Sequence, residues 1–159
     1  VTPQARLVRT LVRALRASSA PNPARIGLTL TDDEEITRLN EQHMGHEGPT
    51  DVLSFPLLSP AAFPPHDGQD PLVRVSAGPV FVLPPGRRID LGDIIVSVER
   101  ASEQAEQGRG GHTGNIQWSP ADELRLLVTH GALHVCGWDH ARAEEEAAMR
   151  ALERRLLAG

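Results

Sequence analysis

The sequence THGALHVCGWDH at residues 129–140 carries the strongest structural signal in the chain. His130 and His134 stand four residues apart, and on an α-helix this offset places both imidazoles on one face, a turn apart. Gly137 follows at a point where glycine can adopt the left-handed conformation that ends a helix. The turn at Gly137 would bring His140 round toward the other two rings. The stretch therefore predicts a helix that carries two histidines and a turn that supplies a third.

Three histidines in this spacing predict a site for one Zn²⁺ ion per chain, with His130, His134 and His140 as its ligands. A lone helical histidine is usually a packing or surface residue, but three of the seven in this pattern are hard to assign to packing. Structural zinc sites close all four positions with protein ligands, so an open fourth position indicates catalysis. There, zinc would lower the pKa of a bound water toward ~7. We therefore predict a metal-dependent hydrolase in which His130 is also a catalytic residue.

The same spacing occurs in the metzincin proteases, whose pattern is H-E-x-x-H-x-x-G-x-x-H. In those enzymes the glutamate is the general base, and in this chain Gly131 stands in its place. A peptidase needs such a base to take a proton from water and pass it to the leaving amine. The sequence therefore argues against peptide hydrolysis.

Composition suits one globular domain over residues 1–159, since 40% of the residues are hydrophobic and 23% are charged. The single cysteine, Cys136, excludes an intramolecular disulfide. No apolar run approaches the ~20 residues that span a bilayer, and residues 1–20 lack the apolar core of a signal peptide. We expect a soluble, cytoplasmic protein with no membrane partner.

Periodicity and turn residues divide the chain into helices and strands. The central helix is expected at 119–136, where Ser119 and Pro120 mark its start and apolar residues occupy most of its sides. Thr31 and Glu34 predict a capping box for an earlier helix. The remaining elements are predicted helices at 4–17, 31–43, 99–107 and 141–157, strands at 25–30, 50–55 and 89–98, a long surface segment at 57–88 with a short strand at 80–83, and a mobile glycine-rich loop at 108–114.

Nucleic-acid binding receives mixed support from the charged residues. The net charge of −5 argues against a strongly basic surface, although a local basic face is compatible with it. A stripe at helical spacing in the first helix contains Arg6, Arg9, Arg13 and Arg16. This stripe is either the solvated face of an amphipathic helix, which is the simpler interpretation, or a ridge that contacts RNA phosphates.

The histidine block resembles the signature H-G-x-L-H-x-x-G-[YW]-D-H of the bacterial YbeY family. Residues 39–40 with 49–56, and residues 91–94, look like two further blocks of that family, so the resemblance covers 25–157. It implies a single α+β domain with a small mixed sheet and a zincin-like central metal-bearing helix. It also implies a zinc-dependent, single-strand-specific endoribonuclease, which acts on ribosomal RNA, including the 3′ end of 16S rRNA, and on ribosomal particles in ribosome quality control.

Two features depart from the family pattern. Met44 stands where the family usually carries an arginine that is thought to contact substrate phosphate, and His43 and His46 flank that position. The segment at 57–88 also looks longer than the usual connection.

Three carboxylates near the motifs are candidates for orienting a ligand ring from outside the metal: Asp51, Asp93 and Asp139. Each has the alternative of a turn or capping residue. Two other functions stay open at this point, a hydrolase of another small substrate and a ribosome-assembly factor whose metal is mainly structural. Metal removal would separate an enzyme from such an assembly factor, since only a protein that depends on a structural metal should unfold when the metal is removed.

Overall fold

A computed structural model of the chain describes residues 2–45, 48, 50–75, 86–107 and 118–158. The helices are α1 (Pro3–Ala17), α2 (Asp33–Met44), α3 (Leu72–Val75), α4 (Val98–Glu106), α5 (Pro120–Val135) and α6 (Ala143–Ala158). The strands are β1 (Ala24–Thr31), β2 (Val52–Pro56) and β3 (Ile89–Ser97), and a short 3₁₀ turn covers Pro60–Ala62.

These elements agree with the predicted ones to within two residues at either end. The segment predicted at 57–88 contains the 3₁₀ turn and the short helix α3, which the sequence did not suggest. The strand predicted at 80–83 and the loop predicted at 108–114 lie outside the described residues. None of the described helices is long and apolar enough to cross a membrane.

The predicted capping box of α2 is wrong. Thr31 is the last residue of β1 and pairs with Ser97 of β3, so it belongs to the sheet. Asp32 is the N-cap instead, and its Oδ1 accepts a hydrogen bond from the backbone N–H of Glu35 at 2.9 Å. Aspartate caps a helix as well as threonine does. The N-cap is therefore Asp32, because Thr31 is held in the sheet by its pairing with β3.

The sheet is small and mixed. Its strand order is β1-β3-β2, with β3 parallel to β1 and antiparallel to β2. The helix α5 packs against this sheet and against α1, α4 and α6, so it occupies the centre of the molecule. Its start is confirmed as predicted, because the side chain of Ser119 accepts from the N–H of Asp122 and Pro120 follows the cap. This architecture confirms the α+β class with a central histidine-bearing helix.

The close approach of α5 to the sheet depends on Gly131. A Cβ at this position would lie 2.7 Å from Cγ2 of Ile94 and 3.3 Å from Oγ of Ser54. The hydroxyl of Ser54 also donates to the carbonyl of Gly131 at 3.3 Å. Since a methyl group at 2.7 Å would overlap its neighbour, only glycine allows the helix to lie this near. The sheet thus fixes the position of the helix turns that carry His130 and His134.

Candidate metal centre

The three predicted histidines come together in the structure. His130 and His134 lie on the last turns of α5 and His140 lies in the turn that follows, and one nitrogen from each falls within 4.8 Å of the other two. The Nε2 atoms of His130 and His134 are 3.0 Å apart. Two nitrogens bound to a tetrahedral zinc at about 2.0–2.1 Å lie roughly 3.3 Å apart, so the set fits a zinc ion.

His140 reaches this position because α5 ends sharply. Gly137 has a φ of +93°, a conformation that favours glycine, and the N–H of Trp138 donates back to the carbonyl of Leu133 at 3.0 Å. A Cβ at Gly137 would also lie 2.9 Å from Cα of Pro60, so the turn packs closely on the 3₁₀ segment. The chain therefore turns back shortly after His134, as predicted from the presence of Gly137.

Hydrogen bonds at the outer nitrogens orient two of the rings. The Nδ1 of His130 lies 2.7 Å from Oε1 of Glu153, and the Nδ1 of His134 lies 2.8 Å from the backbone carbonyl of Trp138. Both acceptors require a proton on Nδ1, which leaves the Nε2 lone pairs free for a metal. Glu153 was not predicted, although its position in the inward stripe of α6 beside Met149 and Leu152 was a usable signal.

The surroundings of His134 favour its neutral form. Burial, together with the adjacent imidazoles of His130 and His140, lowers the pKa of His134 to about 4. A neutral imidazole keeps the lone pair that a metal ion needs, so protons compete weakly at His134 near neutral pH.

Of the three predicted carboxylates, two lie beside the histidines and one does not. Asp51 lies beside the histidines, where Oδ2 accepts from Nε2 of Gln104 at 3.3 Å. Asp139 precedes the third histidine, and its Oδ1 accepts from the N–H of His140 at 2.7 Å. Asp93 does not reach the site. Its neighbour Ile94 faces α5, and side chains alternate along a strand, so Asp93 lies on the opposite face of the sheet.

Two clefts meet at the histidine cluster. The first, of about 590 Å³, runs between α5 and α6. The second, of about 550 Å³, lies between the end of α5, β2 and the end of α2. His130 and His140 line both clefts, so a metal held there would be open to a substrate. The other described residues that line the second cleft are Met44, Thr50, Asp51, Val52, Leu53, Ser54, Pro56, Pro60, His134, Gly137, Trp138 and Asp139.

Of the residues predicted to contact RNA, only Met44 is among the described residues that line a cleft. Met44 is 46% exposed and lines the second cleft, whereas no arginine of α1 is among the described residues lining either cleft. The exposed His43 lies edge-on to the ring of Phe55, with ring centroids 5.8 Å apart. His46 lies outside the described residues. Residues Arg6, Arg9 and Arg16 are exposed and Arg13 is partly buried, and their contact with RNA stays a prediction.

Comparison with known proteins gives a consistent result. A family model described as Endoribonuclease YbeY matches residues 2–159. A Symbiobacterium thermophilum protein named Endoribonuclease YbeY is 39% identical over 153 residues, covering 95% of this chain and 82% of that protein. A Moorella thermoacetica protein of the same name is 40% identical over 157 residues, covering 96% and 86%.

The fold has a counterpart among solved structures. The solution structure of TM1509 from Thermotoga maritima aligns with a TM-score of 0.53 at 22% identity, covering 98% of this chain and 81% of that one. At this identity the likeness concerns the fold alone. The family model and the relatives match nearly the whole chain, including the histidine block, and the chain therefore belongs to the YbeY family.

Proposed function

We propose that the chain is a zinc-dependent endoribonuclease that cuts single-stranded RNA, with ribosomal RNA as its substrate. The observation that carries this proposal is the three-histidine cluster at the meeting point of two clefts, in a chain whose relatives are named endoribonucleases. We expect it to act in the cytoplasm on ribosomal particles and in ribosome quality control, as the family resemblance implies.

The ligands we assign to the zinc ion are His130, His134 and His140, with His130 also facing the substrate from both clefts. When bound, zinc supplies Lewis-acid polarisation of a phosphate oxygen and lowers the pKa of water. The chain's own part is to hold the rings. Glu153 and the carbonyl of Trp138 keep the first two imidazoles in one tautomer and one orientation.

Packing supports RNA rather than peptide as the substrate. The position of the metzincin glutamate is held by Gly131, and a Cβ there would overlap Ile94 of the sheet. The peptidase base is therefore absent for a structural reason, because a side chain at this position would collide with β2 and β3. A phosphodiester has an alkoxide leaving group instead of an amine, and a metal ion stabilises that charge without the same proton transfer.

The second cleft offers RNA little positive charge. Among the described residues that line it, no lysine or arginine occurs, since Met44 stands where the family resemblance implies an arginine. In the first cleft Arg150 and Arg154 lie near four carboxylates: Asp51, Asp122, Glu146 and Glu153. We therefore expect the metal ion to be the main contact for the scissile phosphate, and RNA binding to be weak and only slightly dependent on salt, because few cationic side chains contact phosphates.

A substrate panel tests the proposal. Purified protein of measured zinc content is incubated with single-stranded RNA, duplex RNA and an unstructured peptide, beside His134→Ala. We expect cleavage of single-stranded RNA only, and none by the variant. Peptide hydrolysis that disappears in His134→Ala would instead assign a protease, and cleavage of neither polymer would point to a small substrate or to a non-enzymatic assembly factor.

A further inference from the structure

A buried hydrogen bond between a histidine and a carboxylate lies outside the metal centre and links two distant parts of the chain. The Nε2 of His66 lies 2.5 Å from Oε2 of Glu145, and their side chains are only 10% and 6% exposed. His66 belongs to the long segment between β2 and β3, while Glu145 lies in the first turn of α6. Because the carboxylate only accepts, the His66 Nε2 carries the proton and donates.

The same carboxylate oxygen holds the turn that carries the third histidine. Oε2 of Glu145 also accepts from the backbone N–H of Asp139 at 3.0 Å, one residue before His140. In addition, the ring of His66 stacks on the indole of Trp138, with centroids 3.7 Å apart and planes inclined by 16°. His66 therefore contacts the turn at residues 137–140 directly by stacking on Trp138. It is also linked to this turn through Glu145, which bonds both His66 and Asp139.

Two further contacts fix the turn at residues 66–70 against α6. Gly68 has a φ of +78°, and a Cβ there would lie 2.5 Å from the backbone nitrogen of Glu145, so the two backbones touch. Asp70 lies 3.9 Å from Arg142, the residue that directly precedes α6, in a half-exposed ion pair. The position of His66 is thus set by backbone packing, and its contacts with the metal-ligand turn are built into the fold.

We propose that His66 and Glu145 are positioning residues for the third metal ligand. His130 and His134 are held by a helix, but His140 is exposed and lies in a turn that no helix or strand orders. Its ring can complete the metal site only if the turn at 137–140 is held in place. The inference rests on the proposed metal centre, and it gives the long segment a function in building that centre.

Metal binding to the purified chain tests this inference without any RNA assay. Co²⁺ serves as a spectroscopic probe, since its visible absorption reports the number and geometry of the ligands, and Zn²⁺ affinity is measured by chelator competition. We expect His66→Ala to weaken Zn²⁺ binding by about 10-fold, the lower end of the range for residues that hydrogen-bond a ligand directly, and to change the Co²⁺ spectrum toward that of His140→Ala. His66→Gln retains a donor for Glu145 and should recover part of the affinity.

Asp67→Asn is the matched control, because Asp67 is an exposed residue of the same turn as His66, and this variant should bind Zn²⁺ like the parent. A double-mutant cycle separates positioning from general damage. If His66 acts through His140, then His66→Ala should cost no further Zn²⁺ affinity in a His140→Ala background. An equal loss in both backgrounds, or parental binding and spectrum in His66→Ala, would overturn the inference. A parent chain that binds no Co²⁺ would overturn the metal centre and this inference together, whereas absence of RNA cleavage would leave it standing.

Discussion

The Nδ1 of His130 lies 2.7 Å from Oε1 of Glu153, a carboxylate on α6 that is only 8% exposed. A carboxylate accepts hydrogen bonds and does not donate them, so this contact places the ring proton on Nδ1. The lone pair on Nε2 then points toward His134 and His140. The carboxylate therefore selects the tautomer that a metal ligand needs.

Truncation of Glu153 should weaken the metal site. We expect Glu153→Ala to reduce Zn²⁺ affinity by about 10- to 100-fold, because the ring of His130 loses both its orientation and its charged partner. Glu153→Gln should lose less, since the amide oxygen still accepts from Nδ1. Chelator competition measures both, and Glu144→Gln, an exposed change on the same helix, is the control. Unchanged affinity in Glu153→Ala would show that the contact does not support the metal.

Contacts such as the one between His130 and Glu153 could not be predicted from the sequence, whereas local features could. The spacing of three histidines around Gly137 is local, and so are the helix caps at Ser119, so both could be predicted. Glu153 meets a residue 23 positions earlier, and His66 meets one 79 positions later. Such pairs form only when α6 and the segment after β2 pack against α5, and no local pattern encodes that packing.

Two predictions made from the sequence, those for Asp93 and Thr31, were wrong for the same physical reason. Asp93 stands in the family-like block at residues 91–94, but strand alternation turns its side chain to the face opposite α5, because Ile94 occupies the inner face. Thr31 had the right chemistry for a helix cap and was held by the β ladder instead. In both cases the pairing of β3 with its neighbours decided the outcome.

A cation at position 44 should improve RNA engagement. A charged hydrogen bond to phosphate is worth about 1.5–3 kcal/mol, so Met44→Arg should raise RNA affinity or cleavage by roughly 10- to 100-fold at low salt. Because Met44 is 46% exposed in the second cleft, the substitution should leave the melting temperature unchanged. The gain should shrink as salt is added.

Leu30→Arg is the matched control for this change. Leu30 is 43% exposed and is not among the described residues lining either cleft, so this substitution adds the same positive charge away from the clefts. Equal gains in both variants would show a general effect of net charge. No gain in either, with parental melting, would argue that RNA phosphate does not pass position 44.

Substitution of Gly131 should destabilise the fold. Gly131→Ala places a methyl group 2.7 Å from Cγ2 of Ile94, and overpacking of this kind costs about 1–3 kcal/mol. Urea unfolding of the metal-free protein measures this loss of free energy. A variant as stable as the parent would mean that α5 shifts freely on the sheet, and the structural reason given for the absent peptidase base would then fail.

Stability at alkaline pH should depend on Cys136. Burial raises the pKa of its thiol from 9.0 to about 11. The unfolded chain therefore loses the thiol proton first, and the free energy of unfolding should fall as pH rises from 9 to 11, by roughly 2–3 kcal/mol. The sequence has no tyrosine and no lysine, so no other side chain titrates in this window.

Urea unfolding of the metal-free protein at pH 8.5 and pH 11 measures this effect, and Cys136→Ala should be nearly insensitive to the same change. A parent whose stability stays constant across this range would contradict the burial of the thiol. So would a variant that loses stability as much as the parent does.

A zinc titration of metal-stripped protein tests whether RNA cleavage requires a metal ion at the histidine cluster. Zinc bound per chain and cleavage of a labelled single-stranded RNA are measured in the same samples, while far-UV circular dichroism follows the fold. Cleavage should rise with bound zinc and saturate at about one ion per chain, with the fold intact throughout because α5 is held by the apolar core. His134→Ala should fold but neither bind zinc tightly nor cut RNA. Equal RNA cleavage by stripped protein or by His134→Ala would show that the histidine-bound metal is not needed for catalysis.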